Sequence, residues 1–325
     1  MNNKSKIVLL LVFVVFSLIF SIACGSDGIS FKEVYLALTK EGINRVILLQ
    51  IRLPRLLEGF LVGGSLSISG VALQAIFRNP LTEPYTLGIS GGAALGVAIF
   101  IATGFSFYLT TSFAGFGGAL ISLFIVYILA LKKGILKTDS MLLIGVMVSF
   151  ITSSLVLFIM ALVNVRKISA IVYWLMGNLQ GAGYRETFLL STASLVSLLI
   201  LIALSVNLNA LSLGEQQAKA LGVDVELTKK LVFITTSLLT GLSVALVGVI
   251  GFVGLVVPHF FRIMFGYDNR KLLLLSFFGG GSFLVVCDGL SRILIAPSQL
   301  PVGVITGILG GLTFIYVLTK SNKGL

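Results

Sequence analysis

Long apolar runs separated by short polar stretches extend along almost the whole sequence. Most of these runs are about twenty residues long, which is the length of an α-helix that crosses the hydrocarbon core of a bilayer. We predict ten membrane segments, with bounds near 7–24, 55–77, 86–103, 113–131, 141–163, 187–206, 231–250, 253–266, 272–292 and 302–319. The pattern therefore predicts an all-α, polytopic membrane protein, organised as one transmembrane domain over residues 1–325.

The polar stretches between the segments carry weaker structural signals. The first, 25–50, contains SFKEVYLALT, which can form a short surface helix that begins after Ser30. Residues 164–186 are rich in aromatic side chains that favour the headgroup region, so an interfacial stretch is expected there. Segment 8 is short, and Pro258 is expected to break its helix.

Small residues recur in several segments, where they would let neighbouring helices approach closely. Segment 2 is the richest in glycine and serine and is expected to be a buried helix, with Arg52 and Arg55 at the water boundary before it. Glycines four residues apart share a helix face in segments 3 and 10, at Gly88, Gly92, Gly96, Gly303, Gly307 and Gly311.

Composition supports a membrane protein and limits the other classes. The chain is 57% hydrophobic, only 11% of its residues are charged, and its mean hydropathy is +1.10. Soluble domains carry about 25% charged residues. The net charge of +11 is attributed to cationic loops that set topology and meet anionic lipid, rather than to nucleic-acid binding. The bias of lysine and arginine among the loops predicts that both termini are cytoplasmic.

Few residues support catalysis or metal binding. The single histidine, His259, has no Cys/His cluster around it in the sequence, and no G-x-x-x-x-G-K-[ST] phosphate loop occurs. Cys24 and Cys287 are too few for a disulfide framework, although a single disulfide between them stays open. A signal peptide or a lipoprotein cleavage site ending at Cys24 is also conceivable, but 7–24 is long enough to be the first membrane helix.

Ion-coupled transport is the main alternative function, because it usually places ionisable residues inside the membrane. Here Glu58, Asp139 and Asp288 fall at predicted segment boundaries. Glu58 and Asp288 are expected to pair with Arg55 and Arg292, which are three and four residues away on the same helix faces. A mostly uncharged interior indicates a passive conduit whose energy comes from another subunit.

Several long motifs resemble the metal-chelate ABC importer permeases, the FecCD-type membrane subunits of type II importers. They are RLPRLLEGFLVGGSLSISGVALQAIFRNPLTEPYTLGISGGAALG, GEQQAKALGVDVELTKK, GVIGFVGLVVPHFFR and DGLSRILIAPSQLPVGVITGILGG. They occur in the family's order, and the resemblance extends from about residue 45 to the C-terminus. Members of this family import iron–siderophores, haem and cobalamin across the plasma membrane of prokaryotes.

The resemblance implies an architecture and a set of partners. Ten helices would form two inverted four-helix halves, at about 55–163 and 231–319, with a cytoplasmic coupling loop at about 207–230. A second permease subunit would complete the translocation path, most simply as a homodimer. Two cytoplasmic ATP-binding subunits would bind ATP and Mg and drive alternating access, and an extracellular substrate-binding protein would deliver the chelate. No cofactor is implied in this chain.

The resemblance also implies roles for individual residues. The positions that match the family's motifs are Arg52, Arg55 and Arg292 for docking of the binding protein, Gly214, Ala220, Leu221, Gly222 and Val223 in the coupling loop, and Thr138, Asp139 and Ser140 at the cytoplasmic gate. Asp139 departs from the small neutral residue expected at a gate. Short helices at 214–219 and 225–230 would flank a tight turn at Gly222.

The expected function is therefore a permease subunit, without enzymatic activity of its own, of an ATP-driven importer. An iron(III)–siderophore is the expected substrate, and cobalamin and haem are the alternatives. An ion-coupled secondary transporter and a non-transporting receptor or scaffold are the competing classes of function.

Overall fold

The computed structural model describes residues 3–24, 42–104, 108–132 and 134–321. Its α-helices are α1 (Asn3–Ala23), α2 (Ile43–Val46), α3 (Leu53–Phe77), α4 (Ile89–Ala102), α5 (Tyr108–Ala130), α6 (Thr138–Leu162), α7 (Val165–Leu175), α8 (Tyr184–Ala203), α9 (Ser205–Leu213), α10 (Glu215–Ala220), α11 (Val225–Val247), α12 (Val253–Phe265), α13 (Asn269–Ile293) and α14 (Val302–Ser321). A π-helical segment (Ile47–Arg52), a 3-10 helix (Pro84–Leu87) and two antiparallel strands, β1 (Leu131–Lys132) and β2 (Ile135–Leu136), complete the described elements.

The helices agree with an all-α membrane protein. Among the described residues, seven helical stretches are long and apolar enough to cross a membrane, and α4, α12 and the part of α14 up to Tyr316 are shorter apolar helices. These stretches overlap the predicted segments, and most of their ends differ from the predicted ends by a few residues. The fold class is confirmed, whereas the number of ten spans and the division into two inverted halves stay predictions. The proposed surface helix after Ser30 lies outside the described residues.

The second predicted segment is much longer than expected, because α2, the π-helical segment and α3 form one continuous stretch of 35 residues. Arg52 therefore lies within a helix and not before it. Pro54 has no N–H to donate to the preceding turn, and the backbone is π-helical just before it. The hydroxyl of Tyr184 donates a hydrogen bond to the carbonyl of Leu49 in that turn.

The expected break at Pro258 is wrong, because α12 continues through it. Pro258 cannot donate to the carbonyl of Gly254, four residues earlier. The side-chain amide of Gln74 on α3 donates to the carbonyls of Gly254 and Leu255, at 3.4 Å each. A neighbouring helix thus supplies the donor that the proline lacks, as membrane helices with internal prolines require.

Glycine allows two helix pairs to pack with their backbones in contact. In the first pair, α3 against α13, a Cβ at Gly63 would lie 2.2 Å from the carbonyl oxygen of Gly280. In the second, α4 against α5, a Cβ at Gly118 would lie 2.2 Å from the carbonyl oxygen of Gly92. The close approach expected for segment 3 is confirmed, whereas Gly307 of segment 10 faces no atom of the described chain within 4 Å.

Contacts between elements define two ends of the bundle. At the first, the arginine end, Arg292 on α13 reaches Ser21 and Cys24 at the end of α1. At the second, the loop end, Lys6 near the start of α1 reaches the carbonyl of Met264 near the end of α12. The helices α9 and α10 and the hairpin β1–β2 lie at the loop end as well. The start of α1 and the coupling loop therefore share one end.

Candidate functional site

Asp288 is the centre of an ionic cluster at the arginine end. Arg55 on α3 donates to both of its carboxylate oxygens, with distances of 2.8 to 3.1 Å. Arg292, one turn further along α13, contacts the other side of the carboxylate at 3.2 Å. Arg55 also donates to the side-chain oxygen of Gln299 at 2.9 Å. The carboxylate of Asp288 is shared by two guanidinium groups from different helices.

The same cluster holds the end of α1. Arg292 donates to the carbonyls of Cys24 at 2.8 Å and Ser21 at 3.1 Å, and to the Ser21 hydroxyl at 2.8 Å. Arg52 donates to the carbonyl of Ile22 at 2.6 Å. The last carbonyls of a helix have no donor inside the helix, and a cation there complements the helix dipole. Two arginines therefore fix α1 against α3 and α13.

These contacts change the picture of the docking arginines. Arg52, Arg55 and Arg292 were expected to face outward, but their exposed fractions are only 9%, 8% and 4%. The guanidinium groups of Arg55 and Arg292 are both paired with Asp288. The sequence analysis predicted a pair between Asp288 and Arg292 only. A role in docking stays a proposal, and in this chain the three arginines join helices.

Glu58 corrects the expectation of a mostly uncharged interior. Arg55 pairs with Asp288 and not with Glu58. Its guanidinium group makes a bidentate contact from α3 to Asp288 on α13 and therefore points away from Glu58 on its own helix. Glu58 is fully buried, and neither of its carboxyl oxygens has a hydrogen-bond partner among the described residues. It lies within the long apolar stretch that contains α3, so a buried acid does exist in a predicted span.

The coupling loop is almost wholly helical. Helices α9 and α10 are separated at Gly214, and a turn at 221–224 leads into α11. The second short helix expected at 225–230 is instead the beginning of α11, because Asp224 caps that helix by accepting the N–H of Leu227 at 3.0 Å. Gly222 has a φ of +82°, so the tight turn predicted at this residue is confirmed.

The turn of the coupling loop presents apolar side chains at the loop end. Leu221 is 66% exposed at the tip, Leu213 is 66% exposed at the end of α9, and Leu227 is 53% exposed on α11. Ala220 and Gly222 are exposed beside Leu221, and Val223 is half-buried. We name the exposed residues Leu213, Ala220, Leu221, Gly222 and Leu227 the coupling knob. Exposed apolar side chains at a loop are candidates for a protein-binding surface.

The candidate gate residues form the first turn of α6. Thr138 and Ser140 are half-buried, and Asp139 is exposed. A carboxylate in the first turn of a helix interacts favourably with the helix dipole, which explains the acid at this position without a role at a gate. The hairpin β1–β2 leads directly into this turn, and Leu136 of β2 is fully buried. The gate role of the three residues stays a proposal.

His259 and the cysteines offer no metal site. No group of three or more His, Cys, Asp and Glu residues lies together in the part of the chain that the structure describes. His259 is half-buried, its ring packs edge-on against Phe314 at 5.8 Å between centroids, and its ring nitrogens have no hydrogen-bond partner among the described residues. Cys24 and Cys287 are free thiols, so the disulfide left open by the sequence is not formed.

One charged residue of the loop end was missed by the sequence analysis. Lys229 on α11 is 2% exposed and lies among carboxylates and a carbonyl. In the sequence it is one of two adjacent lysines that follow a charged loop, which is the usual pattern of a solvated surface. The only signal was the pair of acids, Glu215 and Glu226, that precede it in the same segment.

Comparison with known proteins gives the family of this chain. The model of the FecCD transport family matches residues 10–320. The chain belongs to the FecCD transport family. A cobalamin import system permease of Halobacterium salinarum is 40% identical over 274 residues, which cover 84% of this chain and 73% of that protein. A Helicobacter pylori protein, named as a probable iron chelatin transport system permease, is 39% identical over 278 residues, covering 85% and 83% of the two chains.

A solved structure shows that the likeness extends to the fold. A protein described as a metal-chelate type ABC transporter in an inward-facing conformation superposes with a TM-score of 0.87 at 30% identity. The match covers 98% of this chain and all of the other. The relationship to metal-chelate ABC importer permeases, predicted from the motifs, is confirmed. This FecCD family member is a multi-pass protein of a prokaryotic plasma membrane.

Proposed function

We propose that this FecCD family member is the membrane-spanning subunit of an ATP-driven importer that translocates an iron(III)–siderophore. A second permease subunit, most simply another copy, completes the path. Two cytoplasmic subunits bind ATP and Mg and hydrolyse the nucleotide, and an extracellular binding protein delivers the chelate. The loop end and both termini face the cytoplasm, and the arginine end faces outward. The chain itself carries no catalytic residues.

The coupling knob carries this proposal. Leu213, Leu221 and Leu227 expose apolar side chains at the end of the bundle that also holds the loops. Burying such side chains in a complementary cleft of a partner is favourable by roughly 25 cal/mol per Å² of apolar area removed from water. A knob built on the start of α11 is rigidly connected to a membrane span, so a subunit that grips it can move the bundle.

A second permease subunit has a suitable surface on α6. Phe150, Leu157 and Phe158 are 66%, 66% and 61% exposed along this helix, which packs mainly against α4, α5 and the 3-10 helix. The exposed face also carries small hydroxyl side chains at Ser153 and Ser154. A face that combines small and large side chains suits helix packing as well as lipid contact. We assign the subunit interface and the path to this side of the bundle.

Docking of the binding protein is assigned to the arginine end. Acidic side chains of the binding protein would meet the guanidinium groups of Arg52, Arg55 and Arg292, since carboxylates and guanidinium groups pair through two parallel hydrogen bonds. Because these groups are bonded within the chain, docking requires that at least one of them exchanges a partner. Docking of the binding protein would then change the ion pairs around Asp288.

The names of the relatives support a metal chelate as the substrate. Cobalamin and iron chelates are the substrates in the names of the two relatives above, and both are metal chelates. Iron(III)–siderophore is proposed because it is the commonest cargo of this family, and cobalamin and haem are the alternatives. Selectivity among chelates is proposed to come from the binding protein that delivers the substrate.

The test is purification of the tagged chain with its partners from its own membrane, followed by an ATPase assay and uptake into proteoliposomes. Iron(III) desferrioxamine, haem and cyanocobalamin serve as probes. We expect a co-purifying ATPase and ATP-dependent uptake of the iron chelate. Leu221→Asp should abolish co-purification, whereas Leu294→Asp, at a residue 58% exposed at the arginine end, should not. Uptake of cyanocobalamin or haem alone would replace the proposed substrate.

Glu58 favours a second candidate, an ion-coupled transporter. The Glu58 carboxyl is buried and has no hydrogen-bond partner among the described residues, and an acid of this kind in a span is a feature of proton and cation pathways. This candidate predicts uptake that follows a proton or sodium gradient without ATP, and that is lost in Glu58→Gln. Uptake that needs ATP and continues in Glu58→Gln would reject it.

A further inference from the structure

Lys229 is the centre of a buried ionic cluster at the loop end. Its ammonium group lies 2.6 Å from Glu215 Oε1, 3.6 Å from Glu226 Oε1 and 3.1 Å from the carbonyl oxygen of Leu136. An ammonium group has three donors, and here Glu215 and Leu136 lie at hydrogen-bond distance while Glu226 makes a longer ion-pair contact. We name Lys229, Glu215, Glu226 and Leu136 the Lys229 cluster. With its side chain 2% exposed, Lys229 is shielded from water.

The cluster joins three parts of the chain that are separate in sequence. Glu215 is the first residue of α10, in the coupling loop, while Glu226 and Lys229 lie in the first turns of α11. Leu136 belongs to strand β2, 93 residues before Lys229. The coupling loop, the span that follows it and the hairpin before α6 therefore meet at one ammonium group.

Both backbone polar groups of Leu136 are taken by the cluster. Its carbonyl accepts from Lys229 at 3.1 Å, and its N–H donates to Glu226 Oε2 at 2.8 Å. Two hydrogen bonds at one residue fix the position and the direction of the strand. Since the side chain of Leu136 is also fully buried, strand β2 is bound to α11 by its backbone and by its side chain.

The strand that is held in this way leads into the candidate gate. Helix α6 begins at Thr138, two residues after Leu136, and its first turn carries Asp139 and Ser140. A displacement of α10 or of the start of α11 would therefore pull on the first turn of α6 through a short and well-bonded connection.

We propose that Lys229 is a positioning residue that transmits movement of the coupling loop to the start of α6. The inference rests on the proposed function, which gives the coupling loop its ATPase partner. Burying a lysine has a desolvation cost that an apolar residue would avoid, so packing alone does not explain it. Directed bonds to a backbone explain it better, because they keep two segments in a fixed relation while both move.

The other flank of the coupling loop offers a matched comparison. There Asn209 on α9 donates to Asp268 at 3.1 Å, and Lys271 lies 3.9 Å from the same carboxylate. The side chain of Lys271 is 67% exposed. Lys271→Met removes the same chemical group as Lys229→Met at the same end of the molecule, without contact to the hairpin.

The experiment uses the tagged native complex in proteoliposomes, with the probe that the wild-type complex takes up among iron(III) desferrioxamine, haem and cyanocobalamin. In Lys229→Met we expect co-purification and ATP hydrolysis to persist, while the uptake per ATP hydrolysed falls by about tenfold. Lys229→Arg, which keeps the charge and the donors, should restore most of this ratio, and Lys271→Met should leave it unchanged.

A second measurement reports on α6 directly. With Cys24 and Cys287 replaced by alanine, the half-buried Ser140 is changed to cysteine and labelled with a water-soluble maleimide. The labelling rate should change when ATP is added to the complex with Lys229, and it should no longer change with ATP in the Lys229→Met background. A merely structural role of Lys229 would alter the amount of protein but would leave this response to ATP intact.

Each outcome decides the proposal. A normal ratio of uptake to hydrolysis in Lys229→Met, or a maleimide response that still follows ATP, would overturn it. If Lys229→Met does not accumulate in the membrane, Glu215→Gln decides, since Glu215 is 35% exposed and its loss leaves the hairpin bonds in place. Loss of coupling in that variant supports the proposal, and unchanged coupling contradicts it. Absence of an ATPase partner from the wild-type complex would instead reject the proposed function.

Discussion

Arg55 and Asp288 are 233 residues apart in the sequence, and they form a bidentate ion pair with N–O distances of 2.8 to 3.1 Å. The pair joins α3 to α13, and Arg292 extends it to the end of α1. Their side chains are only 10% and 2% exposed, so water and salt screen the attraction between the two charges very little. We regard this cluster as the structural anchor of the arginine end.

The first prediction concerns the shared carboxylate. Asp288→Ala leaves two buried guanidinium groups without a counter-charge, and the loss of one partner of a buried pair costs about 3–5 kcal/mol. We expect a large fall in the thermal midpoint of the detergent-solubilised protein. Lys271→Ala, at the exposed pair with Asp268, is the control and should change the midpoint little. Equal midpoints for the two variants would show that the pair contributes nothing.

The second prediction concerns the donor that replaces the N–H missing at Pro258. Gln74→Leu removes both bonds to the carbonyls of Gly254 and Leu255 and should destabilise the protein by about 1 kcal/mol for each bond. Pro258→Ala gives α12 its own N–H, so Gln74→Leu should cost less in that background. A double-mutant cycle on thermal midpoints measures the difference, and strict additivity would contradict the assignment.

The third prediction tests the backbone contact between α3 and α13. A methyl group at Gly63 would lie 2.2 Å from the carbonyl oxygen of Gly280, so Gly63→Ala should destabilise the bundle by about 1–3 kcal/mol. A methyl group at Gly117 on α5 would meet no described atom within 4 Å outside its own stretch of helix, and Gly117→Ala should be neutral or stabilising by up to about 1 kcal/mol, because alanine favours a helix. Size-exclusion profiles after graded heating compare the two. Similar losses in both would mean that the contact is not tight.

The fourth prediction concerns docking at the arginine end. Arg52→Gln removes a charge that, in the proposed function, contacts the binding protein. The substitution should weaken binding of that protein by about tenfold or more, since arginines are frequent hot spots of interfaces. Arg185→Gln removes an exposed charge in the first turn of α8 and serves as the control. Surface plasmon resonance on nanodiscs gives both affinities. An unchanged affinity in Arg52→Gln would restrict Arg52 to holding α1.

The sequence predicted the apolar helices well, because long runs of hydrophobic residues mark them directly. It could not predict the helix that runs from Ile43 through Pro54, since the proline and two arginines give the usual signals of a helix boundary. The continuous helix at Pro258 was missed for a similar reason. Its missing donor is replaced by Gln74, which is 180 residues away from Gly254 in the chain. Such compensation across helices leaves no local trace.

The candidate sites were predictable to different degrees. The turn at Gly222 follows from a local backbone requirement, and it was found. The partners of Asp288 and Lys229 depend on tertiary contacts that bring distant segments together, and charged residues near helix ends look the same in sequence whether they are solvated or buried. For that reason the burial of the arginines and the Lys229 cluster were visible only in the structure.

The contact between Gly63 and Gly280 has a mechanical consequence. Helix α3 belongs to the first predicted half of the chain and α13 to the second, and their backbones touch with no side chain between them to deform. A hinge between the predicted halves would have to open at this contact and lose its close packing. The two predicted halves of one chain should therefore move together as one rigid body. In the proposed dimer, the movement that admits the chelate would then take place at the interface between the two subunits.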